Sequence, residues 1–179
     1  MQDKEEQAIV IDYLPYGYSL EKKMMPIAQA VGKKNFTLLE LVPRRGLKLE
    51  VGEEVYIGEG KRDKVYYILG KLPFAKMSET AKNFLQNYIE TQVTADEKRF
   101  VEFFNNAQPI NTRLHQIELL PGFGKKHMEA ILSQRQEKPF ESFEDLKKRI
   151  SNLPDPKSAV VKRILEELKG EERHYLFIH

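Results

Sequence analysis

The stretch "IELLPGFGKKHMEAIL", starting at Ile117, returns 33 residues later as "ISNLPDPKSAVVKRIL" from Ile150. Superposed, Ile117 meets Ile150, Leu120 meets Leu153, Pro121 meets Pro154, Ile131 meets Ile164 and Leu132 meets Leu165. The shared positions are apolar residues at helical spacing around a proline turn, so each copy is expected to be a helical hairpin. The segment "PFESFEDLKKR" supplies a helix to join the two.

The copies differ where chemistry would matter. In the first, Gly122 and Gly124 flank Phe123, and Lys125 and Lys126 fall in the first turn of the next helix. Glycine tolerates positive φ and close backbone approach, while Phe123 can plug the space between the helices. A helix start offers amides without intrahelical partners and a dipole that favours anions. Lysines there are unfavourable for the helix itself, so they call for an external negative charge. In the second copy Asp155, Pro156 and Lys157 stand in place of Gly122, Phe123 and Gly124. Proline removes an amide and aspartate repels phosphate, leaving a good helix start with Asp as N-cap and Pro at the first position. The first turn can be a phosphate site or a glycine-rich connector. The contrast favours phosphate, because a hairpin that only has to fold can dispense with the glycines. Such contacts would reach backbone phosphates and carry little sequence information. With about three phosphates neutralised, the salt slope is expected at about −2 to −3.

Ahead of the hairpins the pattern is that of strands. "AIVIDY", "PIAQAV", "NFTLLELV", "EEVYIG" and "KVYYILG" are short and rich in Val, Ile, Tyr and Phe, with Gly-, Pro- or Lys-containing breaks at 43–46 and 58–60. Five strands at this spacing suggest a small closed or nearly closed barrel of the OB or SH3 kind. Such barrels commonly bind nucleic acid across one face, with aromatics stacking on bases and cations tracking the backbone. Since strand neighbours point to opposite faces, at least one of Tyr66 and Tyr67 should face outward; the alternative is a core tyrosine whose hydroxyl reaches the rim.

Charge is unevenly spread although the formal net is only +2. Residues 1–21 sum to −4, 22–76 to +6, 77–111 to −2 and 112–179 to +2. In the basic segment, the doublets Lys22-Lys23, Lys33-Lys34 and Arg44-Arg45, with Lys61, Arg62 and Lys64, either line a polyanion-binding surface or act as ordinary solubilising loop charges. After Pro73, "SETAKNFLQNYIETQ" places Ala81, Phe84, Leu85, Tyr88 and Ile89 on one helical face behind a Ser78 cap. "ADEKRFVEFFNNA" comes next, with acids in its first turn and Phe100, Phe103 and Phe104 together, and Pro109 ends this helical connector.

Several functions are excluded or disfavoured. The chain has no cysteine, which removes disulfides, thiolate metal sites and thiol nucleophiles. Its 41% hydrophobic and 31% charged residues are those of a soluble globular protein. "MQDKEEQAIV" lacks the features of a signal peptide, and no run approaches the roughly 18 apolar residues of a membrane helix, so a cytoplasmic protein without membrane partners is expected. His115, His127, His174 and His179 show no metal-ligand spacing; His115 and His127, near the hairpin, more commonly cap helices than touch phosphate. Asp96 and Glu97 suit a helix start better than acid–base chemistry. Nucleotide loops and serine-hydrolase elbows are missing, and "GEGKRDK" reads as a basic hairpin between strands. No catalytic residues, metal or cofactor are expected.

The repeated motif resembles the helix-hairpin-helix superfamily, whose paired hairpins form one compact domain, with Glu129 and Ala130 one position off the usual small residue. Beyond it, "AQAVG", "FTLLELVP", "GEEVYIGEG", "RFVEFFNNA", "RLHQIELLPGFGKKHMEAIL" and "KPFESFEDL" resemble an archaeal family of uncharacterised conserved proteins thought to bind RNA, with an OB-like barrel before a helix-hairpin-helix domain. The resemblance implies an archaeal origin, a cytoplasmic location and a link to translation or RNA maturation. The expected architecture is α+β: a barrel over 1–76, a helical connector over 77–111, and an all-α tandem hairpin domain over 112–179 ending in a strand, "RHYLFIH", that docks on the barrel. The expected function is non-catalytic RNA binding. Gly122, Phe123, Gly124, Lys125 and Lys126 form the phosphate turn and Arg113 contacts a further phosphate; Arg44, Arg45, Lys61 and Arg62 extend the track, and Tyr66 or Tyr67 stacks a base. Duplex DNA, or ribosomal or transcription proteins, are the alternative partners.

Overall fold

The structure, a computed structural model, describes residues 3–179. It divides into two compact units, the residues up to Asn87 together with Glu167–His179, and Tyr88–Glu166.

The first unit is built on five antiparallel strands, β1 (Gln7–Leu14), β2 (Ile27–Gly32), β3 (Leu38–Pro43), β4 (Glu54–Tyr56) and β5 (Val65–Lys71), in the order β4-β1-β2-β3-β5. One face gathers Ala8, Val10, Ala28, Ala30, Leu39 and Leu41 into a core that also takes Val55 from β4 and Val65 from β5. Residues from both edges reach one core, so the sheet is curled. The small side chains on β1 and β2 leave room for that curvature. Closure stops short of a barrel: among the described residues no ladder joins β4 to β5, and the sheet is a half-barrel. Two features of the edges account for this. β4 pairs over only three residues, and β5 carries two register shifts that leave Tyr66 and Leu69 as extra residues opposite β3. Bulges of this kind interrupt the row of backbone groups that another strand would need.

The "GEGKRDK" segment is not a hairpin. It crosses from one edge of the sheet to the other, held by Arg62 Nε donating to the Gly58 carbonyl at 2.8 Å. The C-terminal residues form no strand either. Instead of a ladder, the amides of Leu176, Phe177 and Ile178 converge on Oε1 of buried Glu167, at 2.5, 2.9 and 3.3 Å. On the opposite face of the sheet Gln29 and Glu40 are adjacent in register and buried. Gln29 ties down the chain beyond β5, donating to the Lys76 carbonyl at 2.9 Å and accepting from the Ser78 amide at 3.1 Å. The Tyr18 hydroxyl donates to Glu40 at 2.7 Å, and burial, reinforced by the Glu40 carboxylate, pushes its pKa up.

Helix α1 (Glu79–Ala95) begins behind Ser78, whose hydroxyl accepts the Ala81 amide at 3.0 Å; Ala81, Leu85, Ile89 and Val93 form its buried stripe. The second unit continues with α2 (Glu97–Asn106), a small hairpin of β6 (Pro109–Asn111) and β7 (Leu114–His115), a 3₁₀ turn at Gln116–Leu119, and α3 (Lys125–Glu137), α4 (Phe143–Arg149) and α5 (Pro156–Leu168). Residues 77–111, the expected helical connector, supply α1 and α2. α2 is integrated into the hairpin unit: Asn105 exchanges hydrogen bonds with the Phe140 backbone at 2.9 and 2.7 Å, and Glu97 accepts the Phe143 amide at 2.8 Å. Arg135 Nη1 caps the end of α2 by donating to the Phe104 and Ala107 carbonyls at 3.1 and 2.9 Å.

The two copies of the repeat fold unequally. The first limb of the first copy is only the four-residue 3₁₀ turn, because Leu120 precedes Pro121 and is held extended at φ −73°, ψ 133°. In the second copy α4 is the first limb, so the helix expected between the hairpins is part of the second one. α5 also starts at Pro156, two residues earlier in the repeat than α3 does at Lys125.

Candidate nucleic-acid interface

The turn between the 3₁₀ segment and α3 is dictated by its sequence. The Phe123 amide donates to the Leu120 carbonyl at 3.0 Å and Gly122 has φ +83°, giving a β-turn with proline second and glycine third, the type II pattern. A side chain at Gly122 would meet Pro154 at an ordinary 3.6 Å, so the positive φ, not space, requires glycine there. Phe123 is buried against Phe104 and His127, with ring centroids 6.1 and 5.8 Å away. Gly124 is the N-cap of α3 in an extended conformation, φ −108°, ψ −171°, which any residue can adopt, and nothing lies within 4 Å of the place its Cβ would take.

Beyond Gly124 the start of α3 is exposed. The first backbone bond into the helix is from the Met128 amide to the Gly124 carbonyl, 3.0 Å. Among the described residues, the amides of Lys125, Lys126 and His127 find no acceptor in the chain, and no carboxylate pairs with either exposed lysine. His127 Nδ1 accepts the Gly124 amide at 3.1 Å, so one amide of the turn is used internally. At α5 the equivalent position is closed: Asp155 Oδ2 accepts the Ser158 amide at 3.2 Å and the Ser158 hydroxyl at 2.6 Å. One hairpin leaves its helix N-terminus open and basic, while the other neutralises it with its own carboxylate.

His115 also caps. Its Nδ1 accepts the Ile117 amide at 3.1 Å while Glu118 accepts the His115 amide at 2.8 Å. Burial, with the nearby Arg135 charge, lowers its pKa against the opposing pull of Glu118. Arg113 stands exposed on the β6–β7 connection, its amide bound to Asn111 Oδ1 at 2.8 Å, and no hydrogen bond links it to the α3 turn.

The remaining site residues belong to the sheet unit. Arg44 to Leu47 is a second glycine turn, with Gly46 at φ +82° and the Leu47 amide on the Arg44 carbonyl at 3.0 Å. Arg44 Nε donates to the Arg62 carbonyl at 2.6 Å, which brings together the two basic segments. Arg44, Arg45, Lys48, Lys61 and Arg62 have no carboxylate partner among the described residues, whereas Lys33, Lys34, Lys64 and Lys76 pair with Glu54, Asp3, Glu53 and Glu21.

Tyr66 and Tyr67 are both exposed, at 64% and 37%, and their rings meet edge to face with centroids 5.3 Å apart. A regular strand would separate them; the bulge at Tyr66 brings them together. Tyr66 borders an open cleft of about 600 Å³ that also involves Tyr13, Val42, Arg44, Arg45 and Lys48. Tyr13 and Lys48 were not among the residues expected from the sequence. The available signals were an aromatic at the end of the "AIVIDY" strand and a third cation in "PRRGLK".

Similarity to known proteins extends over nearly the whole chain. Residues 4–179 match the family model described as a protein of unknown function, DUF655. The uncharacterized protein MJ0038 of Methanocaldococcus jannaschii is 42% identical over 179 residues, covering 99% of this chain and 81% of that protein. The crystal structure of Af1531 from Archaeoglobus fulgidus, itself assigned to DUF655, superposes with a TM-score of 0.83 at 43% identity, covering 98% of this chain and 100% of the other. The chain therefore belongs to the DUF655 family.

Proposed function

We propose that this protein is a non-catalytic, cytoplasmic RNA-binding protein in which the half-barrel acts as an OB-like unit and the paired hairpins as a helix-hairpin-helix unit. The observation that carries the reading is the unequal pair of helix starts. Three unpartnered amides and two unpaired lysines open α3, where the matching turn at α5 is sealed by Asp155. An anion of phosphate geometry is the ligand such a start accommodates, and a backbone phosphate leaves the bases free for other contacts. The sheet unit contributes cations without carboxylate partners beside two exposed tyrosine rings, which suits a single strand better than a duplex.

The test is binding of a structured RNA and of duplex DNA of equal length to wild type and to the Lys125→Glu, Lys126→Glu double variant. The reading requires RNA to be preferred and the double reversal to remove most retention at low salt, with the circular dichroism spectrum unchanged. A preference for duplex DNA would instead favour a role in repair or replication. A second reading, a protein-interaction adaptor for ribosomal or transcription proteins, draws on the loop before β2, where Tyr16, Leu20 and Met24 are 70%, 98% and 77% exposed. Under it, the double reversal leaves partner binding intact.

A further inference from the structure

The cleft beside the Arg44–Leu47 turn has no role in the phosphate contact at α3, yet its lining is specific. It is mainly apolar, and its lining combines Tyr13, Tyr66 and Val42 with the cations Arg44, Arg45 and Lys48. No acidic residue lines it. At about 600 Å³ it falls within the size range of small-ligand sites. Tyr13 is packed against the sheet core, so one ring is fixed by the fold, whereas Tyr66 is the bulge residue of β5 and projects at 64% exposure.

Building on the RNA reading, we infer that this cleft receives a single unpaired nucleobase of an RNA strand, its face against tyrosine and its adjoining phosphate against Arg45 and Lys48. An aromatic wall recognises the π-face of a base, and that face is accessible only where the base has left a stacked duplex. The cations are uncompensated by protein carboxylates among the described residues, so the group that fills the cleft is expected to bring negative charge with it. A peptide would satisfy the apolar lining but would need acidic side chains at the same spacing to satisfy the cations. A nucleotide joins both features in one unit. The bulge then has a purpose: it places an aromatic ring at the mouth of the cleft, out of alternation with its strand.

The experiment uses the full chain with two fluorescein-labelled probes of equal length, a uridylate decamer and an abasic ribose-phosphate strand. Tyr66→Ala is expected to weaken the uridylate strand roughly tenfold and to leave the abasic strand at its wild-type affinity. Tyr66→Phe, which keeps the ring, should restore the uridylate affinity. Lys125→Glu with Lys126→Glu should weaken both probes alike, since that turn contacts only backbone. If Tyr66→Ala weakens both probes equally, or neither, the cleft is not a base site, although the RNA reading survives. If wild type retains neither probe, both proposals fall.

Discussion

Gly124→Asp separates the folding role of the α3 turn from the phosphate-binding role proposed for it. The position has open space and an extended backbone, so the substitution introduces no strain. An aspartate there would accept amides at the second or third helical position, as Asp155 does from Ser158 at 3.2 Å. A carboxylate at a helix start is worth about 0.3–1 kcal/mol, and the N-cap gain over glycine adds a few tenths. For a chain of 179 residues that corresponds to a rise in Tm of about 1–4 °C. Binding should move the other way. If the turn holds about two phosphates of a single strand, losing them flattens the salt slope by about 1.4 and costs roughly 50- to 100-fold in affinity at about 50 mM salt. Fluorescence anisotropy across a salt series and a thermal melt measure the two effects. Gly124→Ala, which adds no charge, serves as the control and should bind like wild type. A stabilised Gly124→Asp protein with unaltered affinity and slope would refute the reasoning.

Other perturbations test the geometry around it. Gly122→Ala should destabilise the protein by about 1–2 kcal/mol in urea denaturation, because φ is +83°, whereas Gly124→Ala should stay within about 0.5 kcal/mol. Phe123→Ala removes a buried ring packed on Phe104 and should cost about 3–5 kcal/mol in the same assay. His115 has its pKa held below the ordinary 6.5 by burial and Arg135, so as pH falls through about 6.5 the unfolded chain takes up the proton first and stability declines towards the native pKa. His115→Asn keeps a capping oxygen and should flatten that slope between about pH 7.5 and 5. Glu167→Gln weakens a charge-assisted cluster, and hydrogen exchange at Leu176, Phe177 and Ile178 should accelerate roughly tenfold.

The strands were legible because apolar β-branched and aromatic runs end at Gly and Pro breaks, and all five appear in the structure. Closure was not legible: whether edge strands pair depends on long-range register, and the bulges at Tyr66 and Leu69 leave no local mark in "KVYYILG". The same bulge breaks the alternation expected of Tyr66 and Tyr67. At the hairpins, the glycine and proline signals located the turn, but the limb before Pro121 shrank to a 3₁₀ turn because His115, Glu118 and the residue before proline fix its ends. The C-terminal alternation in "RHYLFIH" suggested a strand; the buried Glu167 carboxylate offers its amides acceptors without a ladder. Asp155 as a cap was readable directly, since Asp-Pro at a helix start is a local signal.

Amide-resolved NMR on the full chain, titrated with the uridylate decamer, reports the proposed phosphate contact at its source. Saturable shifts should appear at the Lys125, Lys126 and His127 amides, while Ser158, already bound to Asp155 at 3.2 Å, stays in place. Binding that shifts residues elsewhere and leaves those three amides unmoved would contradict a phosphate site at α3.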